Sequence, residues 1–138
     1  MTISDDRGGG VATAETVLVV EDDVLVRLVI AGYLRECGYR VVEAANAEEA
    51  LRLLQRDDVR IDVVLTDVEM PGAMDGFALA RWLRRERPDV EVVMAGTPAR
   101  AADAAGGLCE EGPTLTRPNP PGAVLARIRR LLAMRRQP

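Results

Sequence analysis

The sequence predicts an α/β fold with a parallel sheet covered by helices on both faces, a (βα)5 doubly wound arrangement. Short apolar runs alternate along the chain with segments of helical period, which is typical of strands joined by crossover helices. Two of these runs, Val17–Val20 and Val63–Thr66, end directly on acidic residues. If the runs are neighbouring parallel strands, their carboxyl ends bring those acids to one edge of the sheet, where open α/β sheets bind ligands.

The first strand and helix are predicted at Thr16–Val20 and Val24–Cys37. Asp23 precedes the helix and is placed to cap it, and Gly38 follows its last residue, as a helix C-terminus prefers. The helical spacing predicts an apolar stripe made of Val24, Leu28 and Ala31, beside Leu25 and Val29.

The second strand is short, Arg40–Glu43, and the second helix is predicted at Ala47–Gln55 with Asn46 as its capping residue. The third strand, Ile61–Thr66, is almost wholly apolar. A strand of this composition is expected at the centre of the sheet, because both of its faces are covered.

The third helix is predicted at Gly76–Arg87 because Pro88 disfavours a helical residue before it. Its charged outer face is expected to be a solvated surface. The fourth strand follows at Glu91–Ala95.

The fourth helix is expected to begin at Pro98 and to stop early at Gly106-Gly107. The fifth strand, Thr114–Thr116, is the weakest of the set, and the fifth helix is predicted at Gly122–Met134. Right-handed crossovers between these elements give the strand order 2-1-3-4-5.

Composition limits the functions that the chain can have. Its 138 residues suit one domain, and residues 1–14 are expected to be a disordered leader. The net charge of −4 argues against binding to nucleic acid or anionic membrane. The chain has no histidine, which argues against common zinc sites and serine–histidine catalysis. It has no apolar run of membrane-spanning length, so a cytoplasmic location is expected.

The two cysteines, Cys37 and Cys109, fit no metal-binding or redox spacing. We therefore expect two separate thiols, buried or half-buried, in a reducing cytoplasm.

The acids at the two strand ends predict a magnesium site. Glu21, Asp22 and Asp23 follow the first strand, and Asp67 follows the third. Carboxylates clustered at one edge repel one another unless a hard cation such as Mg²⁺ neutralises them. For a single acid, a cap or turn role is an equally good interpretation.

Over residues 15–135, the chain resembles the receiver domain of two-component response regulators. The acids after the first strand, Asp67 after the third, and the Met70–Gly76 loop together carry the resemblance. It implies a flavodoxin-like fold for residues 15–138 and transfer of a phosphoryl group from a histidine kinase or phosphotransfer protein. It also implies the absence of enzyme activity beyond the chain's own phosphorylation and dephosphorylation.

The resemblance assigns a role to each acid. Asp67 is the implied phosphoacceptor and Asp22 the carboxylate that binds Mg²⁺ directly. Glu21 is expected to hold a metal-bound water, and the backbone carbonyl of Glu69 to complete the protein's share of the site. Asp23 is left to cap the first helix.

Two positions depart from the family pattern. Ala95 stands where receivers carry the Thr or Ser that binds the phosphoryl oxygen, and Arg117 stands where they carry Lys. Two roles stay open for Arg117, a bidentate contact with the phosphoryl group and a permanent ion pair with Asp67. Because the chain contains no lysine, the composition alone is an equally good explanation for an arginine at this position. Glu69 and Thr97 are expected to flank the path of the water that removes the phosphoryl group.

The preferred interpretation is a single-domain, divergent response regulator without an output domain. It would signal to a downstream protein through the face formed by the fourth helix, fifth strand and fifth helix, and a homodimer through that face stays open. One alternative is a pseudo-receiver that binds partners without phosphorylation. A less favoured one is a Mg²⁺-dependent phosphohydrolase with an aspartate nucleophile, since the chain has no room for a substrate cap.

Overall fold

The computed structural model describes residues 15–112 and 120–135. The predicted leader, residues 1–14, the fifth strand, Thr114–Thr116, and Arg117 lie outside these ranges. Among the helices of the described ranges, none is both long enough and apolar enough to cross a membrane. The described elements are, in chain order, β1 (Thr16–Val20), α1 (Val24–Glu36), β2 (Arg40–Ala44), α2 (Ala47–Leu54), β3 (Val63–Asp67), α3 (Gly76–Glu86), β4 (Glu91–Ala95), α4 (Pro98–Glu110) and α5 (Pro121–Arg135).

The described strands form one parallel sheet in the order β2-β1-β3-β4. This confirms the predicted doubly wound α/β class and the first four places of the predicted order. The register pairs Val20 of β1 with Thr66 of β3, so that the two strands end at the same level. The acids that follow β1 therefore face the acid that ends β3.

Alternate residues of β1 face two separate apolar cores. Val17 and Val19 pack with α1, α4 and α5, whereas Leu18 and Val20 pack with α2 and α3. All four side chains are nearly inaccessible to water, as expected of a central strand in a parallel sheet. Burial on both faces fixes the strand and hence the position of the acids at its end.

The fourth helix lies on an unexpected face of the sheet. α3, which joins β3 to β4, packs beside α2, and a further right-handed crossover in the same direction would place α4 there too. Instead Ala101, Ala105 and Leu108 pack into the core that contains Val26 and Ile30 of α1. α4 is therefore a neighbour of α1 and α5.

The prediction that Gly106-Gly107 ends α4 was wrong, because the helix continues to Glu110. Gly106 lies against α5, where a Cβ atom would come within 2.1 Å of the Pro121 Cγ atom. Leu108 and Cys109 beyond it are buried. The glycine permits close approach of the two helices, and the packing that results holds the end of α4 in helical form.

The prediction of two separate thiols was also wrong, since Cys37 and Cys109 form a disulfide. The two residues are 72 positions apart in the sequence, and their Cα atoms lie 5.4 Å apart in the fold. Cys37 follows α1, and Cys109 is in the last turn of α4. The unexpected position of α4 beside α1 is what brings them together.

The caps predicted for the first two helices are confirmed, but the apolar stripe of α1 is only partly right. The Asp23 side chain accepts hydrogen bonds from the N–H groups of residues 25 and 26, and Asn46 caps α2 in the same way. Val24 and Leu28 are half exposed, at 50% and 51%, because the buried side of α1 is the one that carries Val26 and Ile30.

A matched pair of glycine substitutions tests the packing of α4. We expect Gly106→Ala to destabilise the protein by about 1–3 kcal/mol, because the new methyl group overlaps Pro121. Gly107→Ala meets nothing within 4 Å and should stabilise it by up to about 1 kcal/mol. Urea unfolding of both variants measures the difference, and equal effects would contradict the close contact between α4 and α5.

Candidate functional site

Three carboxylates meet at the carboxyl ends of β1 and β3. One oxygen from each of Glu21, Asp22 and Asp67 can be chosen so that all three lie within 4.8 Å of one another. Asp22 is exposed, whereas Glu21 and Asp67 are partly buried. The cluster is open to solvent on one side and backed by the apolar sheet on the other.

The backbone around Glu21 is fixed by neighbouring elements. Its N–H donates to the Ala44 carbonyl at 3.0 Å, and its carbonyl accepts from the Arg27 guanidinium at 2.9 Å. One side-chain oxygen accepts from the Asp23 N–H at 3.0 Å. Glu21 is therefore held at the end of β1 by contacts to β2 and α1.

Two carboxyl groups of the cluster, those of Glu21 and Asp67, resist ionisation. Burial, helped by the negative charges of Asp67 and Asp22, raises the pKa of Glu21 to about 8. Burial also raises the pKa of Asp67, although the N–H groups of Glu69 and Val68 bond to its side chain and oppose the rise. A proton or a cation is needed to neutralise this edge of the sheet near neutral pH.

Asp23 is adjacent in sequence but serves a different purpose. Its carboxylate caps α1 and also binds the Arg135 guanidinium at 2.7 and 3.2 Å. The hydrogen bond from Arg135 lowers the pKa of Asp23. Both oxygens of Asp23 are thus engaged outside the cluster, and the contact ties the end of α5 to the start of α1.

The loop after Asp67 is shaped by a close backbone contact that sequence reasoning missed. Gly76 donates its N–H to the Val68 carbonyl at 2.9 Å, and a Cβ atom on Gly76 would lie 2.1 Å from the Asp67 carbonyl oxygen. Asp75 caps α3 through the Ala78 N–H at 2.9 Å. The Asp75-Gly76 pair therefore starts α3 directly against the backbone of Asp67. The position of this pair at the end of the Met70–Gly76 loop was the sequence feature that could have predicted the contact.

The remaining predicted site residues surround Asp67 in different ways. Ala95 is its register partner on β4 and is 5% exposed, so a methyl group lines this side of the cluster. Thr97 is exposed, and its hydroxyl accepts from the Arg100 N–H at 3.1 Å as the cap of α4. Glu69 is exposed. Arg117 lies outside the described residues.

Residues 17–113 match the response regulator receiver domain family. The chain belongs to this family. Over 124 residues the receiver is 36% identical to a probable transcriptional regulator, ycf27, of Cyanophora paradoxa, covering 88% of this chain and 50% of the relative. It spans about half or less of the length of the curated relatives that it matches.

Solved structures of receivers share the fold. The chemotaxis response regulator CheY4 of Vibrio cholerae superposes with a TM-score of 0.56 at 29% identity, covering 86% of this chain and 99% of CheY4. The response regulator TrrA of Thermotoga maritima, solved in complex with Mg²⁺–BeF, superposes with a TM-score of 0.54 at 32% identity, covering 58% of this chain and 67% of TrrA. TrrA has also been solved in complex with the histidine kinase ThkA.

The raised pKa of Glu21 predicts how stability depends on pH without metal. The carboxyl group has an ordinary pKa of 4.5 when unfolded and one of about 8 when folded, so the folded state binds more protons between these values. Stability should therefore fall as the pH rises from about 4.5 to 8. Glu21→Gln should remove this loss and stabilise the protein at pH 8.5, on the order of 1–2 kcal/mol after solvent screening of a partly buried group.

Urea unfolding at pH 4.5 and pH 8.5 in the presence of a chelator measures this effect. Glu36→Gln, which neutralises an exposed carboxylate on α1, is the matched control and should leave the pH dependence unchanged. Parallel pH profiles for Glu21→Gln and the unmodified protein would contradict the raised pKa.

Proposed function

We propose that this receiver accepts a phosphoryl group on Asp67 from a phosphohistidine of a histidine kinase or phosphotransfer protein, in a Mg²⁺-dependent step. The observation that carries the proposal is the convergence of Glu21, Asp22 and Asp67 at the sheet edge of a chain that belongs to the receiver family. The likeness to TrrA, which has been solved with Mg²⁺–BeF and with a kinase, supports it.

The oxygen donors of the cluster suit Mg²⁺, which prefers carboxylate, carbonyl and water ligands. Asp22 and Asp67 would bind it directly, Glu21 would hold a metal-bound water, and the backbone carbonyl of Glu69 would add a further ligand. When bound, Mg²⁺ supplies the positive charge that lets these acids ionise together and that offsets the charge of the incoming phosphoryl group.

The protein contributes positioning to the transfer. One carboxylate oxygen of Asp67 attacks phosphorus in line with the phosphohistidine nitrogen, so that an O–P bond forms as the N–P bond breaks. The imidazole leaves with the electron pair of the broken bond, and the product is an acyl phosphate. The N–H groups of Val68 and Glu69 hold the Asp67 side chain for this attack.

Ala95 would alter the conformational response of the protein to phosphorylation. A methyl group cannot donate a hydrogen bond to the phosphoryl group, so the movement of a hydroxyl toward Asp67 is missing at this position. Arg117 could compensate through bidentate contact, or pair with Asp67 when no phosphoryl group is present. The same observation favours a second candidate function, a pseudo-receiver that binds partner proteins without phosphorylation.

We further propose a cytoplasmic signalling role through contacts with a downstream protein. The surface of α4 and α5 is the expected contact face, either for that protein or for a second copy of the chain. Catalysis would be limited to the chain's own phosphorylation and dephosphorylation, with Glu69 and Thr97 beside the path of the attacking water.

Metal binding is the first test of the proposal. Mg²⁺ should stabilise the protein by about 1.4 kcal/mol at ten times its dissociation constant, because it binds the folded state only. Asp22→Asn should weaken binding by roughly tenfold or more, since it removes a charged ligand. Thermal unfolding against Mg²⁺ concentration measures both, with Asp58→Asn as the control on an exposed carboxylate.

Phosphorylation itself is the second test. Incubation with a cognate kinase and Mg²⁺ should add one phosphoryl group in an acid-stable, base-labile bond, located on Asp67 by mass spectrometry. Asp67→Asn should abolish it and Asp58→Asn should not. Beryllofluoride with Mg²⁺ provides a test that needs no kinase, since it should shift the amide resonances of residues 67–69. Mg²⁺ binding without either response would favour the pseudo-receiver.

A further inference from the structure

The Cys37–Cys109 disulfide joins two elements of very different strength. On one side, α1 ends in a tight turn in which Cys37 donates to the Tyr33 and Leu34 carbonyls at 3.1 Å and Gly38 has a φ of +96°. The Tyr39 N–H also donates a hydrogen bond to the Leu34 carbonyl, at 3.2 Å. These bonds make the α1–β2 turn a firm anchor.

The end of α4 on the other side is a weak helix. Gly106 and Gly107 occupy two consecutive positions in its C-terminal half, and glycine disfavours a helix interior. Its last turn carries no basic residue to interact with the helix dipole. Local sequence therefore does little to keep residues 106–110 helical, and tertiary contacts have to supply the order.

Besides the packing of Gly106 against Pro121, three contacts in one small region hold this weak end. The disulfide is one, and the Tyr39 hydroxyl, which donates to the Leu108 carbonyl, is the second. The third is the turn after α4, where Gly112 lies so close to Tyr39 and the Cys37 carbonyl that a Cβ atom there would come within 3.2 Å of both. Only the disulfide among these is covalent and chemically reversible.

We propose that the Cys37–Cys109 bond is a redox-responsive clamp, which keeps the C-terminal half of α4 folded against α1 when oxidised and releases it when reduced. α4 lies on the face of the sheet that a continuing right-handed crossover does not favour, so the clamp also maintains its position. The clamp is independent of the proposed phosphorylation, because neither cysteine belongs to the carboxylate cluster.

Reduction requires a dithiol and a transient opening. One thiolate of the dithiol attacks a protein sulfur, forming a mixed disulfide and expelling the other cysteine as a thiolate, which takes up a proton. The second thiol of the reductant then displaces the remaining cysteine. The protein gains two electrons and two protons, and the dithiol becomes a disulfide. Cys37 and Cys109 are 0% and 2% exposed, so the attack occurs only when the end of α4 opens.

Reduction kinetics of the whole chain distinguish this local opening from global unfolding. The protein is treated with dithiothreitol under native conditions, in the range where the rate is proportional to reductant, and alkylated for mass spectrometry. Gly107→Ala strengthens α4 without a clash and should slow reduction about four- to fivefold. Gly32→Ala makes the same change in α1, also without a clash, and should leave the rate unchanged.

Hydrogen exchange then reports the released state. After reduction, amides of residues 106–111 should exchange at least about tenfold faster, while those of β1 and β3 keep their protection. Equal slowing by Gly107→Ala and Gly32→Ala would show that the bond opens only on global unfolding and would overturn the proposal. Unchanged exchange after reduction, or two thiols that stay free when the purified protein is treated with an oxidised dithiol, would overturn it as well.

Discussion

Convergence of three carboxylates at one edge of the sheet is the constraint on which the site depends. β1 and β3 end at the same level, which forces Glu21, Asp22 and Asp67 into one cluster on the polar edge of an apolar sheet. The fold tolerates this because the backbone at Glu21 is tied to β2 and α1, and because two N–H groups bond to the Asp67 side chain. The repulsion that remains would favour a bound cation, which is the physical basis of the proposed Mg²⁺-dependent phosphorylation.

The rest of the site holds that cluster in a fixed geometry. Gly76 starts α3 directly against the carbonyl of Asp67, and any larger residue would push the loop away from the strand end. Asp23, although next to Asp22, is kept out of the cluster by the α1 cap and by Arg135. Three acids rather than four therefore meet, and the charge at the site suits a divalent cation.

α4 is the element that differs most from its sequence-based prediction, both in its length and in the face of the sheet on which it lies. It begins with the Thr97 cap beside Ala95, the register partner of Asp67, and it ends at the disulfide with Cys37. One helix thus connects the carboxylate edge to a covalent link on the opposite side of the domain. Because its C-terminal half is held by tertiary contacts, the proposed reduction of the disulfide would loosen this helix and leave the sheet folded.

Features that depend on near neighbours in the chain could be predicted from the residues alone. The apolar runs predicted β1 and β3, Asp23 and Asn46 were recognised as caps, and the strand-end acids pointed to one edge of the sheet, because hydrophobic pattern and capping involve residues that are close together in the chain. Packing in three dimensions sets the exposure of Val24, the length and face of α4 and the Cys37–Cys109 bond. Each of these depends on which distant segment packs alongside, and spacing along a chain carries no information about a contact 72 residues away.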